Sequence, residues 1–276
     1  MRFPAIFGLF ARPPLWLSIS LASLPFLVMI ILYLVASDIR HEANPNDKLL
    51  PSLGQIVDTM DRLATTEDKR TGDILLWTDT AASLGRLFGA LAISASLALL
   101  VGLNMGAFPG LFAVGSPFLT FVSMIPPLAL LPILFISFGI GEAGKVILIV
   151  IGTFPVLCRD MALSIRSIST EIVVKAKTLG ASDAGVVYRI FLPQLVPRLL
   201  TSLRLVMGAA WLFLIAAEAI AAENGLGYRI FLVRRYMAMD VIISYVAWIT
   251  LLGFTTDWIL KTLTTKFYPW FSGGKV

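Results

Sequence analysis

The sequence predicts an all-α integral membrane protein with about six transmembrane helices. Three observations carry that expectation. The 276-residue chain is 58% hydrophobic and 14% charged, where a soluble domain carries about 25% charged residues. Its apolar residues fall into separate runs of bilayer length, roughly 20 residues each. Its charges gather between those runs, where lysine and arginine act as topology signals.

The net charge of +5 does not indicate a nucleic-acid partner. The basic residues lie between apolar segments and form no aromatic-interleaved patch. Cys158 is the single cysteine and His41 the single histidine. That leaves no metal-ligand cluster and no intrachain disulfide, and Cys158 reads as an inert buried thiol.

The first apolar run, about 15–36, follows Arg2 and Arg12. It exceeds the roughly 7–15 residues of a signal-peptide core, so it reads as an uncleaved span rather than a signal peptide. Further spans are expected near 82–106, 113–138, 144–163, 196–221 and 241–263. The connection 38–80 carries nine Asp/Glu against five Lys/Arg. The connection 164–195 carries Arg166, Lys175, Lys177 and Arg189, with Arg159 and Arg198 flanking it, and the C-terminal end carries Lys261, Lys266 and Lys275. The positive-inside rule then places both termini and the 164–195 connection in the cytoplasm. Arg229, Arg234 and Arg235 run against this pattern. The expected organisation is an N-terminal helix with an extracytoplasmic loop (1–80), a transmembrane core (81–265) and a short cytoplasmic tail (266–276).

Within the 38–80 connection, Ser52-Leu53-Gly54-Gln55 has capping-box spacing. Leu53, Ile56, Val57, Met60 and Leu63 then share one helical face, predicting a short helix packed on the spans or the membrane surface. The third span holds Pro117, Pro126, Pro127 and Pro132. Each removes a backbone donor, and in a membrane the freed carbonyls need protein or cavity water. Met124, Pro126 and Pro127 are therefore candidates for lining a translocation pathway. Glu218 joins them as an intramembrane carboxylate, the other reading being an interfacial anchor. Arg86 and Arg204 read as snorkelling residues, the other reading being that they face an anion pathway. Asp257 and Lys261 are spaced to pair, and Trp248 and Trp258 read as anchors or packing residues.

The connection 164–195 reads EIVVKAKTLGASDAGVVYRIFLP from Glu171. Gly180 suits a helix C-terminus requiring a left-handed residue, and Ser182 or Asp183 suits the next N-cap. Val186, Val187, Ile190 and Phe191 stripe the second helix, which Pro193 is expected to end. Two short helices meeting at a glycine make a knob fit for a groove on a soluble partner.

Gly180 followed by Ile190-Phe191-Leu192-Pro193 resembles the EAA loop of binding-protein-dependent ABC import permeases. The family's Glu-Ala-Ala falls on Val174-Lys175-Ala176, so the acidic residue is replaced and one alanine is kept. The resemblance extends over about 80–265. Ser83-Leu84-x-Arg86 with Gly89, the stretch Ile125–Pro132, Phe138-Gly139-Ile140-Gly141, Thr201-Ser202-Leu203-Arg204, Ala217-Glu218 and Gly225-Leu226-Gly227-Tyr228 are similar to the nitrate/sulfonate/taurine branch. The resemblance implies a type I importer permease of the bacterial inner membrane. Two permease copies, a homodimer in the simplest case, would form the pathway among the membrane lipids. Two ATPase subunits would grip the loop through Val174, Lys175, Ala176, Leu179, Gly180, Ile190, Leu192 and Pro193. An extracytoplasmic solute-binding protein would deliver a small anion such as nitrate, a sulfonate, taurine or bicarbonate. The chain has no G-x-x-x-x-G-K-[ST] phosphate loop. It is therefore not expected to be an enzyme or to bind a cofactor, and ATP-Mg would sit on the ATPase.

The competing class is an autonomous secondary transporter or channel, against which stand the lack of a clear internal repeat and the few intramembrane acids. An intramembrane enzyme finds no supporting motif.

Overall fold

The structure, a computed structural model, describes residues 14–44, 47–69 and 71–272. Arg2, Arg12, Lys275 and the last four residues of the expected tail lie outside the described residues. Every regular element found is helical: α1 Leu15–Ala43, α2 Leu53–Thr65, α3 Leu75–Ala107, α4 Pro109–Ser123, α5 Leu131–Phe138, α6 Glu142–Arg166, α7 Thr170–Thr178, α8 Asp183–Val186, α9 Leu192–Ala221, α10 Leu226–Val233, α11 Met239–Phe267 and α12 Pro269–Ser272. Among the described residues, five helices are long and apolar enough to span a membrane, or six with the bent α4–α5 pair counted as one.

The bend corrects the expected continuous span 113–138. Helix α4 and the segment 127–138 meet at 79°. The cause is the adjacent pair Pro126-Pro127, which removes two consecutive donors. The chain turns before it: Met124 N–H donates to Phe121 O and Ile125 N–H to Val122 O, each at 3.1 Å. A 3₁₀ turn, Pro127–Leu130, then leads into α5. Pro117 lies inside α4 without breaking it, and Pro132 occupies the first turn of α5, where no donor is needed.

The core is built on α3 against α6. Gly102 and Gly106 lie one turn apart on α3, and a Cβ on either would sit 2.7–2.8 Å from α6, against Met161 Cβ and Cys158 O or against Ala162 O. Small residues at this spacing let two membrane helices approach until their backbones nearly touch. Ala98, Cys158, Met161 and Ala162 around them are fully or almost fully buried. Ser94 and Thr153 share a hydrogen bond of 2.8 Å across the same seam. Helix α9 packs on both partners, and α11 packs on α9.

Helix α2 carries both arms of the expected capping box: Gln55 N–H donates to Ser52 Oγ at 3.3 Å and Ser52 N–H to Gln55 Oε1 at 3.0 Å. Leu63 is buried and Met60 half-buried, and Thr59 donates to Asp240 of α11 at 2.9 Å. Leu53 and Val57 remain exposed. Helix α1 stands apart. None of its best 18-residue apolar window is buried, and it is tied to the connection after it by Tyr33 OH to Pro51 O (2.6 Å) and Ser37 Oγ to Leu50 O (3.0 Å).

Candidate functional site: a coupling knob, a bent span and a buried ion knot

The knob forms as the spacing of its caps predicts. Helix α7 starts at Ser169, whose Oγ accepts from Glu171 N–H, and ends in a Schellman turn. Ala181 N–H donates to Ala176 O at 3.0 Å and Gly180 N–H to Lys177 O at 2.9 Å. Gly180 has φ +85°, the left-handed conformation this turn requires. Ser182 accepts from Gly185 N–H at 3.1 Å, and Lys177 pairs with Asp183 across the corner.

Pro193 does not end the second helix, contrary to expectation. Residues 187–191 form a π turn in which Leu192 N–H donates to Val187 O, and the helix runs on into α9. The looser turn accommodates the donor that Pro193 lacks. The knob is thus one short helix folded against the leading end of a continuous helix, Asp183–Ala221. Val186, Val187 and Phe191 are buried against the bundle, and Ala176 and Ile190 are partly buried against the same core. Leu192 is half-buried and Pro193 exposed. What the knob presents outward is Leu179 at 87% and Val174 at 62% exposure, with Lys175 beside them.

At the opposite end of the bundle lies a cluster that sequence reasoning took apart into separate motifs. Glu218 of α9 is fully buried within the chain. Its Oε1 accepts from Ser83 Oγ (2.8 Å) and Arg86 Nη1 (2.7 Å), and its Oε2 from Ser83 Oγ (2.9 Å) and Gly227 N–H (2.9 Å). Arg86 also makes a bidentate pair with Glu142 and donates to Asn224 O and Oδ1. Lys145 closes on Glu142 at 2.8 Å. Asp79 accepts from Gly225 N–H, Arg229 Nε and Tyr245 OH at 2.8–2.9 Å. Three carboxylates and three cations cancel. Glu218, Asp79, Arg86 and Lys145 are buried and need such partners, while Glu142 reaches the surface of the chain at 63% exposure. The knot joins α3, α6, α9, α10 and α11.

Several expectations change here. Arg86 does not snorkel; it is 6% exposed at the centre of the knot. Arg204 pairs with Asp257 of α11 at 2.7 Å and 2.8 Å. Asp257 is therefore held directly by α9, because an arginine fork offers two aligned donors, and Lys261 acts on it only through its charge. Trp248 donates to Thr80 and stacks edge-on against Trp77, and Trp258 is exposed. Met124 is 74% exposed at the α4 break, Pro126 is exposed and Pro127 half-buried. Knob, break and knot are not one site: the knob and the knot occupy opposite ends, and the break lies between α4 and α5.

The bundle of apolar spans thus carries one broken helix and a knob between α6 and α9. Residues 94–267 match the family of binding-protein-dependent transport system inner membrane components, and the chain belongs to that family. It is therefore a multi-pass inner-membrane permease subunit of an ABC importer, a transport component that works with a binding protein. Among curated relatives, the taurine transport system permease protein TauC of Escherichia coli is 35% identical over 198 residues, 72% of each chain. The bicarbonate transport system permease protein CmpB of Synechococcus elongatus is 30% identical over 199 residues, 68% of this chain and 71% of its own. These relatives represent the nitrate/sulfonate/taurine branch. In fold, the chain is similar to a subunit in an inward-facing structure of the MetNI methionine ABC transporter. The TM-score is 0.61 at 18% identity, over 68% of this chain and 94% of the other.

Proposed function

We propose that the chain passes a small oxyanion-bearing solute, of the taurine, sulfonate, nitrate or bicarbonate kind, through a pathway formed by two copies in the lipid bilayer. The solute class rests on relatives named for taurine, aliphatic sulfonates and bicarbonate. ATP-Mg binds and is hydrolysed on a separate ATPase, whose groove takes the knob on the cytoplasmic side. A solute-binding protein docks at the opposite end. The bent segment around Met124, Pro126 and Pro127 borders the pathway, and Glu218 supports its outer end from within the knot.

The observation that carries this reading is the knob itself. Leu179 and Val174 are apolar, solvent-facing and held by a capped corner. With valine where the family motif has its glutamate, apolar contact carries the docking, and Leu179 and Val174 contribute more than the inward-packed Ala176. Leu179→Asp buries an unpaired charge in that contact, costing about 1–3 kcal/mol, roughly a 5- to 150-fold loss of affinity. Membrane insertion is expected to stay normal while co-purification of the ATPase falls. Gly180→Val, which strains a residue at φ +85°, is expected to do the same. Wild-type capture of the ATPase by both variants, at normal expression, refutes the docking role.

A further inference from the structure

The two helices that enter and leave the knob are fastened to each other just before they reach it. Asp160 lies on α6, six residues before that helix ends at Arg166, and Arg198 lies on α9, six residues after it begins at Leu192. Arg198 Nε donates to Asp160 Oδ2 at 3.1 Å and Arg198 Nη2 to Oδ1 at 2.9 Å. Ser202, one turn further along α9, donates to the same carboxylate. The pair is partly exposed, Arg198 at 41% and Asp160 at 28%. It borders a cavity of about 580 Å³ whose other walls include Ser164 and Ser167 at the root of α7 and Trp270 and Phe271 of α12. The open volume thus flanks the root of the knob, while Val186, Val187 and Phe191 of the knob itself pack on the core.

This arrangement has a mechanical consequence. A knob that joins the bundle through two helix ends passes a push to the spans only as far as those ends keep their mutual angle, and a hinge at the root would absorb it. A planar fork on a carboxylate fixes two helices in angle as well as in distance, because both parallel donors must stay aligned. We propose that Asp160, Arg198 and Ser202 form a clasp that makes the knob and the adjoining turns of α6 and α9 one rigid body. Displacement of the knob by its ATPase then reaches the bundle instead of being lost at the root. Asp160 and Arg198 are positioning residues that touch neither nucleotide nor solute. The proposal rests on the reading of the knob as the ATPase contact.

The test uses the full chain in complex with its ATPase subunits, with spin labels at Thr178→Cys on the knob and Leu205→Cys on α9 beyond the clasp. Cys158 is fully buried and out of reach of the reagent. Distances are measured without nucleotide and with Mg-ATP trapped by vanadate. With the clasp intact, the Thr178–Leu205 distance distribution is expected to be the same in both states. In Asp160→Asn and in Arg198→Gln it is expected to broaden and to shift on trapping. The charge-reversed pair Asp160→Arg/Arg198→Asp is expected to restore the narrow, nucleotide-independent distribution, which a purely space-filling role would not do. Clasp variants that keep the narrow distribution in both states, while Leu179→Asp still loses the ATPase, overturn the clasp alone. Undiminished ATPase capture by Leu179→Asp brings down the knob reading and the clasp with it.

Discussion

Glu218 and Arg86 set the terms at the scale of the residue. Each is a charge held out of water, and each is tolerated because its partners satisfy it. Removing one partner leaves an uncompensated buried charge, which costs about 3–5 kcal/mol, whereas replacing both by apolar residues is often close to neutral. Glu218→Leu and Arg86→Met are therefore each expected to lower thermal stability in detergent sharply. The double variant is expected to be more stable than either single one, and a strictly additive loss would show that the two side chains do not act as a pair. Gly225 holds the same knot from the backbone side. Its φ is +123°, and a Cβ there would lie 2.6 Å from the Glu218 carboxyl and 2.7 Å from Arg86 Nη1. Legibility was uneven at this scale. Ser83, Arg86, Glu218 and the Gly225–Tyr228 turn stand out in the sequence as separate motifs. Their union does not, because the partners lie 132 and 135 positions apart and nothing local encodes that meeting. Arg86 alone has the appearance of a snorkelling arginine, and Asp257 has an arithmetically suitable lysine four residues on. In both cases the long-range arginine geometry wins over local spacing.

At the scale of the element, the expected spans match helices because runs of apolar residues leave the backbone no other way to satisfy its hydrogen bonds in lipid. What composition did not reveal was where a run breaks. Of four prolines in the third span, only the adjacent pair bends the chain: a proline at a helix start removes no needed donor, and one inside a membrane helix frees a single backbone group that neighbours can satisfy, while two in succession leave a gap. Pro193 misled for the related reason that a π turn can take up a missing donor. The glycine pair on α3 was legible in principle, as small residues four apart in an apolar run. Gly102→Leu is expected to force α3 from α6 and to lower the yield of folded, monodisperse protein, overpacking of this kind costing roughly 1–3 kcal/mol or more. Gly89→Ala, on the same helix with open space around its Cβ, is expected to leave that yield unchanged. Size-exclusion chromatography of the two variants side by side checks the contrast, and equal behaviour would rule out a close-packed α3–α6 seam.

For the whole molecule, alternation along the chain is the governing fact. The knot gathers Asp79, Glu142, Glu218, Arg229 and Tyr245 at one end of the bundle. The clasp, the knob and α12 gather at the other, so successive spans run in opposite directions. Reporter fusions inserted at Glu67 and joined after Tyr268 are expected to report opposite faces of the membrane, with the second in the cytoplasm. Finding both on one face would overturn the six-span topology. Helix α1 adds a different consequence. It is held by a few side chains at one end and contributes nothing to the core, and the family match begins only within α3. With the bent pair counted as one span, the described bundle from α3 to α11 makes five crossings, and α1 adds a sixth. Its role in the architecture is one of parity: deleting it would leave the packed interior intact while moving the start of the chain to the other side of the membrane.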